Sequence, residues 1–211
     1  VMPQTREAID HARAANVPII VAINKCDKPD AQPDRIRQQL ADHNVLVEEW
    51  GGKYQSVEIS ARTGKNIELL LEKILLEADV LNLKAAPDGP ARGAVVEAQV
   101  DKGKGTVATV LVQKGELKVG DSFIAGIQSG KVRAMYDERG NRLDVAGTSS
   151  PVQIIGFDGV PQAGDSFLVV ETDREARDIS LRRQQLKREQ GAAQERAAAA
   201  GRELEERRKA Q

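Results

Sequence analysis

The sequence predicts an α/β unit of parallel strands and helices, followed by an antiparallel β-barrel and a C-terminal helix. Three observations carry this. Residues 19–23 form a continuous apolar, β-branched run with helical patterns on either side. Beyond residue 91 the pattern changes to short strands separated by glycine turns. From residue 173 it changes again, to Arg, Glu, Gln and Ala with few large apolar side chains. The expected organisation is an α/β unit at 1–83, a Pro- and Gly-containing linker at 84–91, a barrel at 92–172 and a charged helix at 173–211.

In the first unit, residues 5–15 favour helix, with Glu7 near its start, Arg13 near its end and Asn16 before Val17-Pro18 as a stop. Residues 19–23 lack any apolar and polar alternation, which predicts a strand buried on both faces of a parallel sheet. Pro33 suits the first position of a helix running to about His43, with Ile36 and Leu40 on one face. Residues 56–59 read as a second short strand. Ile67, Leu70, Leu71, Ile74 and Leu75 then recur at helical spacing up to about Leu81. Strands alternating with helices imply parallel βαβ connections, although two strands are too few for a complete layer.

The second unit offers six strand candidates, at 93–100, 106–113, 122–125, 131–136, 151–157 and 166–171, with turns such as Lys114-Gly115-Glu116 and Arg139-Gly140-Asn141. Short strands at this spacing favour a closed barrel, because closure removes exposed edges. In the tail only Ile179, Leu181, Leu186 and Leu204 are large and apolar, so the expected helix has no core of its own. Gly191 and Gly201 would each weaken it by roughly 1 kcal/mol relative to alanine.

Composition narrows the function classes. The 211 residues carry a net charge of −1, so any affinity for nucleic acid must come from local clusters such as Lys102-Gly103-Lys104. The single cysteine, Cys26, excludes an internal disulfide and a cysteine-built metal site, and fits a reducing, cytoplasmic setting. No apolar run reaches membrane-spanning length, and the start lacks a secretory pattern. The opening Val1-Met2-Pro3-Gln4-Thr5, running straight into a helical pattern, reads as a cut inside a longer chain.

The chemistry concentrates at the carboxyl ends of the two strands. Asn24-Lys25-Cys26-Asp27 follows the first, where ligands bind in open α/β sheets. A carboxylate there can accept both the ring N–H and the exocyclic amino group of guanine, an arrangement adenine does not offer, so Asp27 selects guanine. Lys25 can lay its apolar stem over the purine, and Asn24 can tie the loop to its neighbours. Ser60-Ala61-Arg62 closes the second strand one crossover helix later, which brings both loops to one sheet edge. There Ser60 can hold Asp27, the Ala61 N–H can donate to the guanine carbonyl, and Arg62 can stack on the opposite purine face. His11 and His43 have no partners at ligand spacing, and Trp50 is expected beside this half-site.

Asn-Lys-x-Asp followed by Ser-Ala-Arg resembles the base-specificity motifs of the Ras-like GTPases. Further segments narrow the resemblance. These are residues 1–9, Glu48-Glu49-Trp50-Gly51-Gly52, Asp101-Lys102-Gly103-Lys104-Gly105, residues 131–135, Gly159-Val160-Pro161 and Ala163-Gly164-Asp165. Together they resemble the bacterial translation initiation factor 2 family among translational GTPases, over residues 1 to about 180. The resemblance implies the C-terminal half of a P-loop GTPase domain and its following barrel. For the parent protein it implies GTP and GDP binding with magnesium, ribosome-dependent hydrolysis, a barrel docked on the small ribosomal subunit and its RNA, and initiator tRNA bound by domains beyond this chain. It implies a cytoplasmic, monomeric protein without membrane attachment.

No Gly-x-x-x-x-Gly-Lys-Ser/Thr phosphate loop occurs in the sequence, so neither catalytic nor metal residues are expected in this piece. Asp137-x-x-Gly140 and Asp144-x-x-Gly147 mimic a magnesium-side motif but fall in expected barrel turns. The alternative reading is a non-catalytic ribosome- or RNA-binding module with a vestigial nucleotide half-domain. Lys102, Lys104, Lys131 and Arg133 would be its contacts.

Overall fold

A computed structural model describes the backbone of residues 1–209, and side chains throughout that span except at position 197 and positions 200–209. The chain forms two compact units, Val1–Lys84 and Ala85–Gln211.

The first unit runs α1 (Pro3–Ala14), β1 (Val21–Ile23), α2 (Pro33–Asp42), a 3-10 turn (Glu48–Trp50), β2 (Ser56–Glu58) and α3 (Ile67–Leu81). Proline occupies the first turn of both α1 and α2, where its missing N–H costs nothing. Asn16, in left-handed conformation at φ 52°, ends the first helical segment. β1 and β2 pair in parallel, with Val21 opposite Ser56, Ala22 opposite Val57 and Ile23 opposite Glu58. Ile9, Leu40 and Val45 form a small core, against which Val21, Ile36 and Tyr54 pack. Arg37 of α2 donates to Glu58 of β2 at 2.6 Å and to Asp34 at 2.8 Å, and its side chain is 11% exposed.

Two expectations about this unit require correction. The strand predicted at 19–23 spans only Val21–Ile23, and it is not buried on both faces, because Ala22 is exposed. The reason is that β2 is its sole neighbour among the described residues. The amphipathic helix predicted at 67–81 forms, but none of its residues is buried, and Leu71, Leu75, Leu76 and Val80 are each more than half exposed. Its apolar surface is far larger than this unit covers.

The second unit contains β3 (Arg92–Asp101), β4 (Gly105–Lys114), β5 (Leu117–Lys118), β6 (Ser122–Ala125), β7 (Gln128–Tyr136), β8 (Arg142–Leu143), β9 (Val145–Ala146), β10 (Pro151–Phe157), β11 (Ser166–Val170) and α4 (Asp173–Lys209). The six longer strands run in the order β10, β4, β3, β11, β6, β7, and β7 pairs back onto β10, closing an antiparallel barrel. Val95, Val110, Val112, Leu117, Phe123, Met135, Ile154 and Phe167 fill it, each at most 2% exposed. The Phe123 ring centroid lies 4.7 Å from that of Phe157 and 4.8 Å from that of Phe167. Closure demands a sharp bend in β10 at Gly156, whose φ is 129° and whose missing Cβ would stand 1.8 Å from the Lys131 carbonyl oxygen. Only glycine fits there.

The helix expected from 173 is present, and its start packs on the barrel. Ala176 and Ser180 are 1% and 5% exposed against the barrel. Thr172 accepts from the Glu175 N–H and the Glu175 carboxylate accepts from the Glu171 N–H, both at 3.1 Å, a reciprocal cap that fixes where α4 begins. The expectations for Gly201 and Leu204 fall outside the described side chains.

Candidate guanine-base site

The parallel register places the carboxyl ends of β1 and β2 side by side, and the loops leaving them meet. The Ser60 hydroxyl, on a residue with no exposed surface, donates to Asp27 Oδ1 at 2.8 Å across 33 positions of sequence. The same Ser60 Oγ accepts from the Thr63 N–H at 3.3 Å, so the hydroxyl's donor and acceptor roles are both used. Asn24 Oδ1 accepts from the Lys25 N–H at 2.7 Å and from the Ala61 N–H at 3.0 Å. The Cys26 N–H reaches the Ile59 carbonyl at 3.2 Å, a third tie between the two loops.

These bonds explain the local backbone. Lys25 sits at φ 67°, a conformation a non-glycine residue adopts when its surroundings dictate it, and here Asn24 and Cys26 hold its two flanks. The second loop is held by the Ser60 N–H donating to Lys65 O at 3.1 Å, Gly64 N–H donating to Ser60 O at 2.9 Å, and Asn66 Nδ2 donating to Glu58 O at 2.8 Å.

Of the six residues read from the sequence as base contacts, all lie on this one edge. Asp27, Lys25, Ala61 and Arg62 are exposed, and among the described residues neither Lys25 nor Arg62 has a carboxylate within 4 Å. One detail differs from expectation. The Ala61 N–H is engaged by Asn24, so a purine carbonyl would have to share or displace that bond. A cleft of about 460 Å³ opens beside the first loop, lined by Ile23, Asn24, Lys25 and Cys26 together with residues of α2. Among the described residues no three His, Cys, Asp or Glu side chains converge.

The four basic residues read as RNA contacts lie on two elements of the barrel, a hairpin and a strand. Lys102 and Lys104 stand in the β3–β4 hairpin, and Lys104 Nζ lies 5.0 Å from the Tyr136 ring centroid. Lys131 and Arg133 are exposed on β7, and Lys131 pairs with Asp173 of α4 at 3.5 Å. Asp137 uses its carboxylate to accept from the backbone of Arg139 and Asn141, which makes it a turn residue. What the sequence reading missed are Asn66, Lys65 and the Arg37–Glu58 pair, which brace the second loop and its strand without belonging to either motif.

Similarity to known proteins follows this geometry. The elongation factor Tu GTP-binding domain model matches residues 1–79, and the elongation factor G domain 2 model matches residues 90–170. Translation initiation factor IF-2 from Christiangramia forsetii is 59% identical over 196 residues, covering 93% of this chain and 21% of the relative. The same-named protein from Phocaeicola vulgatus is 59% identical over 191 residues, covering 90% of this chain and 19% of the relative. The chain belongs, over this stretch, to the bacterial initiation factor 2 family. It spans about one fifth of the length of these curated relatives. Among solved structures, GDP-bound aIF5B from Aeropyrum pernix superposes with a TM-score of 0.65 at 25% identity, covering 87% of this chain and 39% of that one. The elongation factor SelB from Methanococcus maripaludis, at 24% identity and a TM-score of 0.56, shares the fold over 81% of this chain and 37% of its own.

Proposed function

We propose that this chain is the guanine-reading half of the nucleotide domain and the adjoining barrel of a ribosome-dependent GTPase that acts in translation initiation. The observation that carries this reading is the Ser60–Asp27 hydrogen bond at 2.8 Å, which joins two separate sequence motifs into one rigid edge. A buried hydroxyl that donates to a carboxylate holds it in one orientation, so the ligand meets a carboxylate already in place. Asp27 accepts the ring N–H and amino group of guanine, Lys25 and Arg62 close on the two purine faces, and Asn24 with Ala61 fixes the spacing between the loops.

The chemistry of phosphate transfer lies outside these residues. GTP or GDP would be held mainly through its phosphates by a phosphate loop that this sequence lacks, with magnesium supplying charge neutralisation there. The isolated chain therefore binds guanine nucleotides weakly and does not turn over GTP; magnesium-dependent hydrolysis by this polypeptide alone would overturn the assignment. The uncovered apolar side of α3 supports the same division, since a helix with more than half-exposed leucines at 71, 75 and 76 expects further protein against it. Partners in this reading are the small ribosomal subunit and its RNA through the barrel, and initiator tRNA through domains beyond the chain.

The rival reading, a ribosome- or RNA-binding module that ignores nucleotide, draws on the exposed Lys102, Lys104, Lys131 and Arg133. Ribosome binding measured against salt, with and without GTP, separates the two. Binding that falls steeply with salt, ignores GTP and survives Asp27→Ala supports the rival, and GTP-dependent binding lost in Asp27→Ala supports the GTPase.

A further inference from the structure

A long helix with few apolar residues leaving a barrel suggests a loose tether, yet α4 is fastened to the barrel at two places. At its first residue, the Asp173 carboxylate accepts from the Ser122 hydroxyl and lies 3.5 Å from Lys131 Nζ. Three turns later, three side chains converge on the two-residue turn between β6 and β7. The Ser180 hydroxyl donates to the Ile127 carbonyl at 2.6 Å, Gln184 Nε2 donates to the same oxygen at 3.2 Å, and the Arg183 guanidinium donates to the Gly126 carbonyl at 2.7 Å. Gln184 also donates to Ser180 Oγ at 3.1 Å, which links two of the three directly. Ala176 lies buried between the two anchor points.

The spacing decides what this arrangement does. Residues 173 and 184 are roughly 16 Å apart along a helix rising about 1.5 Å per residue. One anchor would leave the helix free to swing; two anchors separated by three turns fix an axis. The anchors are hydrogen bonds, which constrain direction, where apolar contact alone would permit sliding. The turn that receives them is braced in its own right. Gly126 stands at φ 58°, its N–H donates to Ser166 O at 3.1 Å, and a Cβ there would fall 2.3 Å from the Asp165 carboxylate.

We propose that α4 is a fixed arm of the barrel, aimed by Ser180, Arg183 and Gln184 on the Gly126-Ile127 turn. Side chains 185–190 are exposed, so beyond the clamp the helix leaves the barrel. The 25 residues from there to Lys209 carry the backbone about 38 Å further. Over that length a 10° change at the root moves the tip by roughly 7 Å, so any shift of the β6–β7 turn is delivered, magnified, at the far end. Ser180, Arg183 and Gln184 are positioning residues in this scheme. They replace water on turn carbonyls, an exchange that adds direction more than stability.

The test measures the distance distribution between nitroxides at Arg139→Cys, in the β7–β8 turn, and Arg188→Cys, one turn beyond the clamp, in the 211-residue chain with Cys26→Ser. The unmodified clamp should give one narrow distance. The combined variant Ser180→Ala, Arg183→Ala and Gln184→Ala should at least double its width while keeping the helical circular dichroism and the barrel's melting temperature. A control on the exposed side of the helix, Leu181→Ala with Arg182→Ala and Lys187→Ala, should leave the width unchanged. The proposal is overturned by an unaltered width in the clamp variant or by equal broadening in the control. Loss of helicity in the clamp variant also overturns it, since the side chains would then be maintaining the helix instead of aiming it.

Discussion

Replacing Ser60 by alanine removes one oxygen and should be felt at both motif loops. The hydroxyl donates to Asp27 at 2.8 Å and accepts from Thr63 at 3.3 Å, and the residue has no exposed surface, so water has no ready route to replace it. A hydrogen bond to a charged group contributes about 1.5–3 kcal/mol net. Asp27 is itself exposed and can recover some hydration, which places the loss near the low end, about 1.5 kcal/mol. Since 1.4 kcal/mol is a factor of ten, guanine-nucleotide affinity should fall roughly tenfold in a protein that joins this chain to a phosphate loop. Titration with a fluorescent GDP analogue reads this directly, with circular dichroism as a check that the fold persists. An affinity change below about twofold, in a folded variant, would refute the argument that Ser60 preorganises Asp27.

Three further outcomes follow from the same geometry. Phe123→Ala empties a position fully enclosed by Phe157, Phe167 and the barrel wall, and should destabilise the barrel by about 3–5 kcal/mol in chemical denaturation. Arg37→Met removes the link from α2 to β2 and leaves Glu58, about one third exposed, to rehydrate. The first unit should lose about 1–3 kcal/mol, short of the loss for a fully enclosed pair, while the barrel's unfolding is unchanged. The Ser122 hydroxyl, with Lys131 adding to it, holds the Asp173 carboxyl below its ordinary value. A depressed folded-state value means that the stabilisation is complete above the ordinary aspartate pKa and disappears as pH falls through the depressed one. Spin-label width across the clamp should therefore grow on acidification through that range, and Asp173→Asn should abolish the pH response.

The meeting of the two candidate loops was legible because their residues stand in two short motifs at strand ends, where topology alone brings them together. Asn24, Asp27, Ser60 and Ala61 needed no long-range knowledge beyond the parallel register. The barrel was legible for a similar reason: hairpin turns such as Arg139-Gly140-Asn141 mark strand ends locally. The two-residue strands β5, β8 and β9 were not, since pairs of residues carry no periodicity to read. Nor was the seating of α4. Ser180, Arg183 and Gln184 read as a solvent face, and backbone carbonyls in a distant turn leave no mark of their own in the sequence. The pairing of Lys131 with Asp173, 42 positions away, was invisible in the same way, although it changes what Lys131 offers to an RNA phosphate.

The central claim is that this edge reads guanine through Asp27. Competition among GDP, ADP and XDP, for a protein that joins this chain to a phosphate loop, tests it most directly. With Asp27 in place, GDP should be preferred over ADP by on the order of 10⁴, the discrimination of a site whose polar groups are left unpaired by the wrong base. Asp27→Asn replaces one acceptor by a donor facing the purine C2 substituent, and should turn the preference toward XDP, whose C2 carries a carbonyl. An unchanged order of GDP, ADP and XDP in the Asp27→Asn protein would contradict the account.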